Sequence, residues 1–89
     1  MGKWNDFAKN LRSRLPAERA VRMSIPEIIR VTGTTDKAIR QPGWWDLGAR
    51  GAEAYTALAD EGITCDYIAV DGEVQSVRFF LSWLPAPID

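Results

Sequence analysis

Between positions 34 and 41 the chain places Thr34, Thr35, Lys37, Arg40 and Gln41 close together. These are side chains that recognise nucleic acid. A guanidinium such as that of Arg40 pairs bidentately with guanine, and a carboxamide such as that of Gln41 does so with adenine. Hydroxyls and an ammonium, as on Thr34, Thr35 and Lys37, reach phosphate oxygens or base edges. Arg19, Arg22 and Arg30 lie upstream and are candidates for further phosphate contacts. Asp36 is unfavourable near phosphate, although a carboxylate can accept from a cytosine amine.

Charge is distributed unevenly around this segment. Over the whole chain, 11 Lys and Arg face 12 Asp and Glu, for a net charge of −1. Residues 1–50 hold ten basic and five acidic side chains, whereas residues 51–89 hold Arg78 against seven acidic ones. The front is therefore +5 and the back −6. Such asymmetry suits a basic surface for a polyanion. It equally suits attraction between the two halves inside one fold, or between two copies, because charge counts do not place side chains in space.

A second constellation points to a protein partner instead. Trp44 and Trp45 are adjacent, so one can fill the core while the other stacks or anchors an interface. Asp60, Glu61 and Asp66 give the back half an acidic surface that could meet a basic groove or mimic nucleic acid. An inhibitor or adaptor of the kind phages use against host defence complexes would fit this pattern.

Enzyme chemistry lacks its parts. The chain has no histidine, the commonest general base and metal ligand. The carboxylates Asp60, Glu61, Asp66, Asp71 and Glu73 have neither calcium-loop nor two-metal spacing. The run Gly48-Ala49-Arg50-Gly51 lacks the frame of a phosphate loop. The single cysteine, Cys65, excludes an intrachain disulfide and reads as a buried structural thiol. No cofactor, metal or small-molecule substrate is expected. No apolar run approaches the ~18 residues of a membrane span. The start lacks the apolar core of a secretory signal, so the default location is cytoplasmic.

These residues need elements to position them. Trp4, Phe7, Ala8, Leu11 and Leu15 recur at helical spacing, which predicts a first helix from Lys3 to Leu15, ended by Pro16. A polar linker, Ala17 to Arg22, should follow. Ser24-Ile25-Pro26-Glu27 is a capping box opening a second helix, which Gly33 closes. A third, short helix is expected over Thr35 to Gln41, halted by Pro42-Gly43. A fourth should run from about Gly51 to Glu61, burying Ala52, Tyr55, Leu58 and Ala59. Ile63 to Val70 alternates as a strand, and Asp71-Gly72 signals a two-residue hairpin turn. The return strand, Glu73 to Trp83, should turn Val77, Phe79, Leu81 and Trp83 to one face.

The 89 residues amount to one domain, 1–84, with an extended tail over 85–89. The expected class is α+β: a helical bundle containing a helix-turn-helix-like unit, followed by a C-terminal antiparallel β-hairpin. From Ser24 to Trp83 this layout resembles a winged-helix domain, which implies DNA binding through the second helix of the unit and paired copies on paired half-sites. Two departures stand out: an extra helix before the hairpin, and an acidic wing at Asp71 and Glu73. The run Glu27-Ile28-Ile29-Arg30-Val31-Thr32-Gly33, followed by Trp44-Trp45, also resembles a small bacterial and phage domain family with an E-I-x-x-x-T-G helix and a Trp-Trp dipeptide. That likeness implies a phage or mobile-element setting but carries no site residues.

Overall fold

A computed structural model of the chain describes residues 2–35, 37–45 and 53–85. The first helix, α1, spans Lys3–Arg14 and buries Trp4, Phe7, Ala8 and Leu11. It stops because Pro16 disfavours helical backbone at Leu15, which is extended at φ −98° and ψ 142°. A short strand, β1, covers Val21–Ser24. The second helix, α2, spans Ile25–Thr32 and begins at the expected capping box: the Glu27 amide donates to the Ser24 hydroxyl, and the Ser24 amide donates to the Glu27 carboxylate. Left-handed Gly33 closes it.

A single turn of 3-10 helix, Lys37–Arg40, comes next, then a short helix, α3, over Pro42–Trp45. Helix α4 spans Glu53–Asp60. Strands β2 (Ile63–Val70) and β3 (Glu73–Leu81) form the hairpin, turned at Asp71 and Gly72 with positive φ angles of 55° and 81°. The class is therefore α+β, with an antiparallel sheet in the order β1-β3-β2.

One face of the sheet carries Val21, Met23, Ile63, Val77, Phe79 and Leu81, all buried. The helices pack on this face. The opposite face presents Arg22, Thr64, Asp66, Ser76, Arg78 and Phe80, as alternation along a strand requires. At the centre of the core, aromatic rings meet edge to face. Trp4 and Phe7 lie 5.4 Å apart, Phe7 and Phe79 5.4 Å, and Trp45 and Phe79 6.0 Å. Each such pair adds about 0.5–1.5 kcal/mol beyond the area it buries.

Four expectations change. The linker over Ala17–Arg22 contains the start of β1, whose Val21 and Met23 pair with Phe79 and Val77 of β3. Two apolar residues flanking one arginine carry too little periodicity to announce a strand. The helix expected over Thr35 to Gln41 is only the 3-10 turn, because Pro42 biases Gln41 away from helical backbone and a fresh turn starts beyond it. In α4 the buried side chains are Ala54, Ala57 and Leu58, so the stripe is rotated from the expected one. Small alanines let α4 pack closely on α1 and leave Tyr55 and Ala59 exposed; Ala52 lies outside the described residues. Finally, β3 ends at Leu81, and Trp83 is 59% exposed. The Leu84 amide donates to the Leu81 carbonyl at 3.3 Å, closing a turn that ends the alternation.

Trp83 nevertheless has a seat. Its ring lies on Gly62, where a Cβ would come within 2.1 Å of it, and the Arg12 guanidinium stands 5.3 Å from its centre. Gly62 is also left-handed at φ 70°, so glycine is required there twice over.

The capping box gives a direct check on α2. Ser24→Ala removes the acceptor for the Glu27 amide and should cost about 1 kcal/mol in chemical denaturation. A loss below a few tenths would show that the box does not support α2.

Candidate nucleic-acid interface

The exit from α2 is fixed by one side chain. The buried Thr32 hydroxyl donates to the Ile28 carbonyl at 2.7 Å and accepts from the Thr34 amide at 3.2 Å. Thr34 itself is buried, and Thr35 is exposed. The 3-10 turn then begins at Lys37. With three residues per turn, side chains at i and i+3 eclipse one another. Lys37 and Arg40 therefore stand on the same side of the turn, and both are exposed. Ile39 points the other way and is fully buried.

The turn is held from behind by Trp45. Its indole N–H donates to the Ile39 carbonyl at 2.6 Å, a buried bond. Trp45 is 7% exposed and packs against Trp44, with ring centres 4.7 Å apart. The cationic pair is thus mounted on a turn clamped to the aromatic core.

Ile29, Thr34, Thr35, Lys37 and Arg40 line a cleft of about 270 Å³ between α2 and the turn. Among the described residues, no carboxylate pairs with Lys37 or Arg40. Several other cations of the front half are committed elsewhere. Arg14 donates to Glu18 at 2.6 Å, which holds the Glu18 carboxyl below its usual range and raises Arg14 further. Arg12 donates to the Leu15 carbonyl at 2.7 Å and covers Trp83. Arg22 lies on the outer face of the sheet and donates to the Ser76 hydroxyl at 3.2 Å.

The cleft therefore gathers Thr34, Thr35, Lys37 and Arg40 and leaves out the other sequence candidates. Arg30 is exposed on α2, next in sequence to Ile29, and does not line the cleft. Arg19 is exposed in the segment between α1 and β1, and Gln41 is exposed between the turn and α3. Ile29 is an apolar lining residue of the cleft, half-buried and packed against the core. Its signal was faint: it sits one step off the buried stripe Ile25, Ile28 and Thr32. Asp36 lies outside the described residues.

The partner-binding candidates differ in exposure. Trp45 is in the core, and Trp44 is half-buried against it. Asp66 is held by Arg78, whose Nε donates to Oδ1 at 3.0 Å and whose side chain is only 11% exposed. Asp60 is exposed at the end of α4, and Glu61 is half-buried. Cys65 is half-buried rather than buried, and with Trp44, Tyr55, Leu58 and Ile63 it lines a second, apolar cavity of about 270 Å³. Among the described residues, no cluster of His, Cys, Asp or Glu could hold a metal ion, and no helix is long and apolar enough to cross a membrane.

Removing the clamp should be measurable. Trp45→Phe keeps an aromatic ring but orphans the buried Ile39 carbonyl, for an expected loss of about 2 kcal/mol in denaturant unfolding. Trp44→Phe removes no such bond and should cost less than about 1 kcal/mol. Equal losses at the two positions would contradict this assignment.

No family model, curated protein or solved structure matches this chain.

Proposed function

We propose that this chain is a non-enzymatic DNA-binding module that holds the phosphate backbone over the cleft between α2 and the 3-10 turn. The observation that carries the reading is the eclipsed pair Lys37 and Arg40. Both are exposed, both lack a carboxylate partner among the described residues, and they share one cleft with the Thr35 hydroxyl. Lysine meets phosphate as a point charge, and arginine meets it bidentately. Arg30, exposed on the same helix as Ile29, adds positive charge to α2.

The length of the turn favours backbone contact over base reading. Four residues of 3-10 helix rise roughly 8 Å, too little to lie along a major groove about 12 Å wide. The helix pair and following hairpin are similar in layout to a winged helix-turn-helix domain. Here, however, the hairpin tip is Asp71-Gly72-Glu73, which phosphate repels. The module would therefore sit on DNA with its turn and flanking helix, and with its wing held away. A protein partner, the alternative, would have to use Asp60 and Glu61 without Trp45, which is buried, or Asp66, which is tied to Arg78.

Fluorescence anisotropy with a mixed-sequence duplex tests the reading. Two neutralised phosphates predict that log K falls against log salt with a slope of roughly −2. Lys37→Ala and Arg40→Ala should each weaken binding and make the slope shallower by about one. Asp60→Asn should leave binding intact or strengthen it slightly. Binding that is absent at low salt, or a slope that neither substitution changes, would overturn the proposal.

A further inference from the structure

Helices α3 and α4 pack against β2 but leave between them the apolar cavity of about 270 Å³. Buried Trp45, Leu58 and Ile63 form its floor, and half-buried Trp44 stands beside them. Tyr55, Ala59 and Ser82 are exposed at its mouth. Three features select what fits. The first is charge. No Asp, Glu, Lys or Arg lines the cavity, so a charged guest would lose its water without gaining a counter-charge. The second is shape. The Trp44 and Trp45 rings meet at 72° with centres 4.7 Å apart, a corner in which a flat ring can meet one face and one edge. A cavity of about 150 Å³ holds a single benzene ring, so this larger one has room for two fused rings. The third is hydrogen bonding. The Trp45 indole N–H is already spent on the Ile39 carbonyl, and the Ser82 hydroxyl donates to the Gly62 carbonyl at 3.1 Å. The Ser82 oxygen keeps its lone pairs, so what it offers a guest is an acceptor.

We infer that this cavity binds a small neutral aromatic molecule of two fused rings carrying one N–H or O–H donor, of the indole or naphthol class. The rings lie in the tryptophan corner above Leu58 and Ile63, and the donor reaches the Ser82 oxygen at the mouth. An aliphatic guest of the same size would forgo the edge and face contacts with the two tryptophans. A carboxylate would be stripped of water against apolar walls and would meet an oxygen acceptor besides. A mostly apolar pocket with one fixed polar group is the usual form of a small-molecule site. The cavity shares no lining residue with the basic cleft, and its occupancy needs no nucleic acid.

An NMR titration of the native chain with indole, without nucleic acid, tests it. Saturable shifts should appear at the Leu58 and Ile63 methyls and at the Trp44 indole. Ala59 is exposed on α4, so Ala59→Leu should fill the mouth with the circular dichroism spectrum unchanged, and should weaken indole binding at least about tenfold. Ser82→Ala should weaken it about fivefold, the worth of one neutral hydrogen bond. Naphthalene, which has no donor, should bind the native chain and ignore Ser82→Ala. Indole-3-carboxylate should bind at least about tenfold more weakly than indole. Shifts that do not saturate or that centre elsewhere, an affinity that Ala59→Leu leaves unchanged, equal effects of Ser82→Ala on indole and naphthalene, or tighter binding of the carboxylate would each overturn the proposal. Because no nucleic acid is present, such a failure would leave the reading of the basic cleft untouched.

Discussion

The hydrogen bond from the Trp45 indole to the Ile39 carbonyl joins the core of this protein to its candidate site. A four-residue 3-10 turn has little stability of its own, with poor hydrogen-bond geometry and few internal bonds. What holds it is tertiary. Ile39 is fully buried beneath it, and Trp45 grips its carbonyl from a ring packed on Phe79 and Trp4. Without that grip, Lys37 and Arg40 would sit on a loop, and placing two cations for one ligand would cost conformational entropy on binding. With it, the pair is preorganised by the same aromatic contacts that hold α1 to the sheet.

This arrangement also resolves the charge asymmetry of the chain. Among the described residues, part of the positive charge of the front half is committed to internal partners. Arg14 is spent on Glu18, Arg12 on Trp83 and the Leu15 carbonyl, and Arg22 on the far face of the sheet. Among the described residues, Lys3, Lys9, Arg19 and Arg30 are exposed without a carboxylate partner, and Lys37 and Arg40 are the two cations that line the cleft. The excess of negative charge in the back half is dispersed, at the end of α4, at the hairpin tip and in the Asp66–Arg78 pair. A site with a few uncommitted cations suits phosphate contact that depends on salt.

Much of the architecture was legible in the residues. The helical spacing of Trp4, Phe7, Ala8 and Leu11, the capping box at Ser24, the closure at Gly33 and the turn at Asp71-Gly72 are local signals with local causes. They appear where expected. What failed to show was non-local. Strand β1 exists because Phe79 and Val77, far along the chain, pair with Val21 and Met23. The turn over Lys37–Arg40 is 3-10 rather than α because of Pro42 and a tryptophan five residues beyond Arg40. Trp83 leaves the alternation of β3 because the chain turns over residues 81–84, where the Leu84 amide bonds the Leu81 carbonyl. In the site, residue types pointed to Thr34, Thr35, Lys37 and Arg40, and the fold gathers those four. Arg19, Arg22, Arg30 and Gln41 do not line that cleft, a matter of three-dimensional placement that no spacing encodes.

The most direct test of the account is a backbone-amide NMR titration with a short DNA duplex at low salt. Shift changes should concentrate at Ile29, Arg30, Thr35 and Lys37 through Arg40, and leave β2 and the end of α4 unmoved. Changes centred on Asp60, Glu61 or the sheet, or none anywhere, would contradict it.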